Sequence, residues 1–172
     1  MMGGMAGLEG IEQARRPGSP AAPRWTPTVE DERALETMES HGNPVDAEVV
    51  LDSAPGAAAT ARRLAEIVVV AEWGLSPHLA ECTALLVSEL FGNAVEHTGA
   101  RAVGLRMHRR PGRIRVEVRD PSRSLPCMMP AFEMEVVSGY GLLLVEKLSD
   151  RWGADLLPIG KKTWFEIRVS DR

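Results

Sequence analysis

Glu89-Leu-Phe-Gly-Asn93-Ala-Val-Glu-His97 decides how this chain is read. The stretch lies inside a helical pattern, and Glu89, Asn93 and His97 recur at every fourth position. Four residues carry a helix about 40° past one full turn, so the three groups share one slowly drifting stripe. Leu79, Leu86, Leu90 and Ala94 fall on the same side, which sets the stripe along or just inside the buried face. Ionisable groups rarely lie against a core unless they are paired or used. Glu89 can take a proton from a hydroxyl or water, or it can cap a neighbouring loop. Asn93, one turn on, can offer an amide oxygen to Mg²⁺, or it can satisfy a buried backbone group. His97 reads as a hydrogen-bonded packing residue.

Working outward, Ser76-Pro77 supplies an N-cap and a first helical residue, and Thr98-Gly99 ends the same helix. The preceding helix carries Leu64, Ile67, Val68 and Ala71 at helical spacing and stops at Gly74. Asp52 and Ser53 are its expected caps, Pro55 lies in its first turn, and a short strand over Ala47–Leu51 comes before. Residues 1–45 are rich in Gly, Pro, Glu and Met without a sustained apolar period. They read as a flexible tail, with one short helix around Val29–Glu39 docking weakly through Ala34, Leu35 and Met38. The folded domain is expected over residues 46–172.

On the other side, Val103, Leu105 and Met107 alternate with polar or small neighbours, as do Ile114, Val116 and Val118. Pro111-Gly112 between them signals a tight turn and an antiparallel hairpin. A Pro-, Met- and Ser-rich stretch runs from Pro121 to about Ser138, long for a connector and of the kind that forms lids. A helix over about Gly141–Asp150 follows, then strands near Trp152–Leu157 and Thr163–Val169, with Lys161 and Lys162 at the turn between them. Consecutive hairpins exclude a doubly wound parallel sheet. The expected class is α+β: a two-layer sandwich with a mixed, mostly antiparallel sheet and three helices on one face.

Composition narrows the function without choosing it. The 172 residues suffice for one well-buried core and are too few for two. A net charge of −4 gives no reason to propose direct nucleic-acid binding. No apolar run approaches the length of a membrane span, and no signal peptide is evident at Met1-Met-Gly-Gly-Met5. Cys82 and Cys127 form no metal-ligand spacing, so a reduced, cytoplasmic protein is expected.

Two further features carry chemistry. Asp120 continues the parity of Ile114, Val116 and Val118, so its carboxylate is expected on the buried side of the sheet. There it either accepts from an exocyclic amino group such as that of adenine, or simply begins a turn with Pro121. Gly139-Tyr140-Gly141 precedes Leu142-Leu-Leu-Val145, and glycines at a helix entry let backbone N–H groups approach a phosphate. A plain tight turn explains the pair equally well, and no dinucleotide fingerprint is present. Thr163 shares parity with Phe165, Ile167 and Val169, which turns its hydroxyl to the same buried side.

Taken in order, these segments resemble the GHKL superfamily, and more narrowly the bacterial anti-sigma-factor serine kinases and their actinobacterial ATP-binding relatives. Ser88-Glu-Leu-Phe-Gly-Asn-Ala-Val-Glu-His97 resembles the N-box and Arg119-Asp120-Pro121 the start of the first glycine box. Ser138-Gly-Tyr-Gly-Leu-Leu-Leu-Val145 resembles the second glycine box, and Thr163-Trp164-Phe165 the closing Thr-containing strand. The resemblance covers about residues 47–169 and implies a Bergerat-type ATP-binding fold. It implies Asn93 as the Mg²⁺ ligand, Glu89 as general base and Asp120 as the adenine acceptor. It further implies Gly139, Tyr140, Gly141 and Leu142 at the phosphate lid, and Thr163 supporting the base pocket. The implied reaction transfers the γ-phosphoryl of ATP to a serine of a small antagonist protein, with a sigma factor as second partner; family members are commonly dimers. One departure stands out: Pro121-Ser-Arg-Ser-Leu-Pro126 has no glycine where the family usually has them. A fold retaining its protein-binding surface but not catalysis is the alternative expectation, with weakened or lost ATP binding.

Overall fold

The computed structural model describes residues 29–126 and 140–170. Five strands form one sheet in the order β1-β2-β3-β5-β4, with β1 at Val49–Asp52, β2 at Ala102–Arg110, β3 at Arg113–Asp120, β4 at Arg151–Leu156 and β5 at Lys161–Arg168. Every pairing is antiparallel, so the parallel component expected of a mixed sheet is absent among the described residues. Among the described residues, four α-helices accompany the sheet: α1 over Val29–His41, α2 over Ala57–Ile67, α3 over Pro77–Thr98 and α4 over Tyr140–Leu148.

The layers follow from strand parity. Val103, Leu105 and Met107 of β2, Ile114, Val116 and Val118 of β3, and Phe165 and Ile167 of β5 share the face that packs under the helices. Leu64, Leu86 and Phe91 come down from α2 and α3 onto that face and are fully buried. Each such side chain stabilises the fold by roughly 1.5–3 kcal/mol of transfer free energy.

Several local expectations hold, and others are corrected. Ser76 accepts a hydrogen bond from the Leu79 N–H at 3.3 Å, Pro77 opens α3, and Gly99 closes it at φ 61°. The start of α2 differs: Gly56 is the N-cap at φ 90°, with no side-chain cap. The Ser53 hydroxyl instead donates to the Ala100 carbonyl, tying the exit of β1 to the entry of β2. A π-helical turn over Val68–Glu72 follows α2 before Gly74. Its wider winding buries Val69 and leaves Ala71 exposed, against the plain helical spacing. Within α1, Ala34 is fully buried and Met38 packs on the core, so close packing starts well before Asp46. Lys161 and Lys162 do not form the last turn; they are the first residues of β5, paired with Asp120 and Arg119 of β3.

Among the described residues, the opposite face of the sheet carries charged side chains rather than helices. Glu117 accepts from Arg115 at 2.8 Å and meets Lys162 at 3.2 Å and His108 at 3.6 Å. Arg115 also reaches Glu166 at 3.2 Å, and its guanidinium lies 3.9 Å from the centroid of the Trp164 ring. Burial pushes the Glu117 carboxyl up, but the hydrogen bonds and charges of Arg115 and Lys162 outweigh it, and the net shift is downward. Burial holds His108 below the usual imidazole range, against the pull of Glu117.

Both groups therefore bind protons more weakly folded than unfolded, so each stabilises the fold above its unfolded pKa and loses that contribution as pH falls. Stability is expected to drop first below pH about 6.5 through His108 and again below about 4.3 through Glu117. Urea midpoints across the acid range check this, with the first stage reduced in His108→Gln and the second in Glu117→Gln. A separate constraint sits at the β4–β5 turn, where a Cβ on Gly160 would stand 2.0 Å from the Asp120 carbonyl oxygen at φ 78°. Gly160→Ala is expected to cost at least ~2 kcal/mol, seen as a lower urea midpoint.

Candidate functional site

Between α3, the first turns of α4 and the inner ends of β3 and β5 lies a cavity of about 310 Å³. That volume is in the range of small-molecule sites, and the wall is mostly apolar, as such sites are. Leu90, Ala94 and Val118 supply hydrocarbon, while Asn93, Asp120 and Thr163 bring polar groups to the same hollow. Leu142 closes one side from α4, and His97 with Thr98 stands toward the C-terminal end of α3. His97 is exposed, so its part at the wall replaces the packing role read from its spacing.

The sheet builds the polar corner by register. Asp120 is the last residue of β3 and faces Lys161, while Val118 faces Thr163 one step back along the same pair of strands. Asp120 is 4% exposed, on the face expected from its parity. It also begins a turn: its Oδ1 accepts from the Ser122 N–H at 2.8 Å. The turn reading is thus realised, and the carboxylate also lies on the buried face at the cavity wall. The same Oδ1 accepts from Lys161 Nζ at 3.0 Å, and Lys161 is 5% exposed and lines the cavity. Sequence reading missed Lys161 as a site residue; its parity with Thr163 and Phe165 was the available signal.

The glycine-free segment after Asp120 is shaped by side chains instead. The Ser122 hydroxyl accepts from the Ser124 N–H at 3.1 Å. Arg123 donates to the carbonyls of Leu157 at 2.8 Å and Pro158 at 3.2 Å, fastening the segment to the β4–β5 turn. Consecutive Asx- and Ser-type turns supply the curvature that glycines would otherwise allow. Ser124, Leu125 and Pro126 then form part of the cavity wall.

Glu89 stands at the margin rather than in the wall. A methyl group on Gly141 would meet the Glu89 carboxylate at 2.6 Å and the Asn93 amide at 3.5 Å. Gly141 therefore lets α4 approach α3 at the point where these two side chains converge. It is buried within the first turn of α4, so its role here is close approach. Tyr140 is 48% exposed and does not line the cavity. Gly139 lies outside the described residues.

The donor set suits a nucleotide carrying Mg²⁺. Magnesium usually takes one or two protein oxygens and fills the rest of its octahedron with phosphates and water. No cluster of three or more His, Cys, Asp or Glu able to hold a metal alone occurs among the described residues. The amide of Asn93 beside the Glu89 carboxylate, at the edge of a cavity, matches the shared arrangement instead. A second hollow of about 450 Å³ lies near Glu48 and Arg119 and shares only Asp120 with the candidate residues. No described helix is long and apolar enough to cross a membrane.

Residues 51–167 match the family model described as the histidine kinase-like ATPase domain. Among solved structures, the chain is similar to the histidine kinase domain of the blue-light activated histidine kinase from Erythrobacter litoralis. That likeness has 18% identity and a TM-score of 0.40, covering 81% of this chain and 71% of the other. Comparison with curated protein sequences returns no match. The family model spans well over half of the chain, and the protein belongs to the histidine kinase-like ATPase family within the GHKL superfamily.

Proposed function

We propose that this member of the histidine kinase-like ATPase family binds ATP with Mg²⁺ in the cavity between α3, α4 and the sheet. We read it further as an anti-sigma-factor-type regulatory serine/threonine kinase that works in the cytoplasm. The observation that carries ATP binding is the convergence of Asn93, Asp120, Leu142 and Thr163 on one apolar hollow. The finer reading, with a small antagonist protein as phosphoacceptor and a sigma factor as the sequestered partner, is supported by the four motif segments in their order.

In this reading the base lies between Leu90, Ala94 and Val118, with its exocyclic amine donating to Asp120 and Thr163 supporting the same edge. Asn93 would hold Mg²⁺, which offsets charge on the triphosphate. Glu89 takes the proton of the acceptor serine as its oxygen bonds to the γ-phosphorus and the bond to ADP breaks. Its position against Gly141, outside the cavity wall, leaves the carboxylate at the edge where a protein substrate would approach.

A second reading has its own support: the glycine-free segment and the Lys161 contact on Asp120 depart from an open adenine acceptor. It makes the chain a protein-binding module with weak or lost nucleotide affinity.

Calorimetric titration with ATP–Mg²⁺ separates the two. Micromolar-range binding that Asp120→Asn weakens at least about tenfold is expected; no binding to the wild type supports the inert module. For transfer, Glu89→Ala is expected to keep ATP affinity and lose phosphorylation of an antagonist protein, and unchanged phosphorylation removes Glu89 from the base role. Gly141→Ala should push the Glu89 carboxylate aside, lowering transfer by about tenfold or more. Its melting temperature should hold or rise slightly, because alanine favours the helix by about 1 kcal/mol.

A further inference from the structure

Lys161 is a nearly fully buried cation in the wall of a cavity, and the phosphotransfer reading gives it no task. An ammonium has three N–H donors and no acceptor. Among the described residues its hydrogen bond goes to Asp120 Oδ1. Burying the remaining donors without partners is costly, and the open side of Lys161 is the cavity itself. Asp120 is arranged in a complementary way. Its Oδ1 already accepts from both the Ser122 N–H and Lys161 Nζ, and its other oxygen carries no hydrogen bond from the described residues.

The corner therefore offers one free acceptor and, next to it, a donor. We propose that Lys161 is a base-reading residue that donates to a ring nitrogen of adenine while the free oxygen of Asp120 accepts from the neighbouring amino group. This inference rests on the proposed ATP binding and deepens it. Adenine presents an amino donor at N6 beside an acceptor at N1, which matches the corner in number and order. Guanine presents two adjacent donors, N1–H and the 2-amino group, and a carboxylate reads these best with both oxygens. Here one of the two oxygens is already saturated, so the corner favours adenine. Register fixes the arrangement: Asp120 and Lys161 are cross-strand partners, and Gly160 locks the turn against the Asp120 backbone. Lys161 is thus a specificity residue, where a bare carboxylate would accept any base bearing a suitably placed amine.

An analogue test reads the contact without relying on a variant that folds. Wild-type affinities are compared for ATP, for 1-deaza-ATP, which lacks the N1 acceptor, and for 7-deaza-ATP, which retains it. The 1-deaza analogue is expected to bind at least about tenfold more weakly than ATP, and the 7-deaza analogue within a few-fold of it. In Lys161→Met the gap between ATP and 1-deaza-ATP should close, and preference for ATP over GTP should narrow. Equal wild-type binding of ATP and 1-deaza-ATP overturns the role of Lys161 while leaving ATP binding in place. A gap that persists undiminished in folded Lys161→Met does the same. Absence of ATP binding to the wild type removes the underlying reading, and this inference with it.

Discussion

The buried pair of Asp120 and Lys161 is the contact on which the site depends. It joins the last residue of β3 to the first residue of β5, and both side chains are almost completely removed from water. Such a pair contributes little net stability, because desolvation of two charges offsets most of their attraction. Its consequence is positional. The carboxylate is held with one oxygen saturated, the ammonium is held at its side, and the end of the strand pair is fixed. The close passage of Gly160 over the Asp120 carbonyl makes the same demand through the backbone. Side-chain charge and main-chain packing thus impose one register on the inner ends of β3 and β5.

The two faces of the sheet divide the labour. One face buries Val103, Leu105, Ile114, Val116 and Phe165 under the helices and leaves its far end open as the cavity. Among the described residues no helix covers the other face, which carries charged side chains reaching across strands. Arg115 is central there, contacting Glu117, Glu166 and the Trp164 ring together. The stems of these side chains shield the sheet while their heads stay partly wet. Trp164 lies so close over Gly153 that an added Cβ would stand 2.8 Å from its ring, which explains a glycine in the middle of an edge strand.

Much of this was legible in the residues alone. Ser76-Pro77 and Gly99 bounded α3, Pro111-Gly112 marked the hairpin, and the alternation of β3 put Asp120 on the buried face. These signals are local, written in single caps, turns and periods. The start of α2 was misread because Ser53 finds a partner on Ala100, 47 residues away. The π-helical turn after Ile67 was invisible, since the valine run suits either winding until packing chooses one. Packing of Ala34 was underestimated because α1 carries few apolar residues and gains its burial from α2 and the core.

The sequence by itself determined the element order, the antiparallel hairpins and the faces on which Asp120 and Thr163 lie, because each depends on spacing along a single helix or strand. Only the tertiary structure decided that Lys161 pairs with Asp120, that Glu89 stands at the margin against Gly141, and that side-chain turns replace the glycines after Asp120. Those outcomes are set by which strand lies beside which and how closely two helices approach. Such distances have no period to be read.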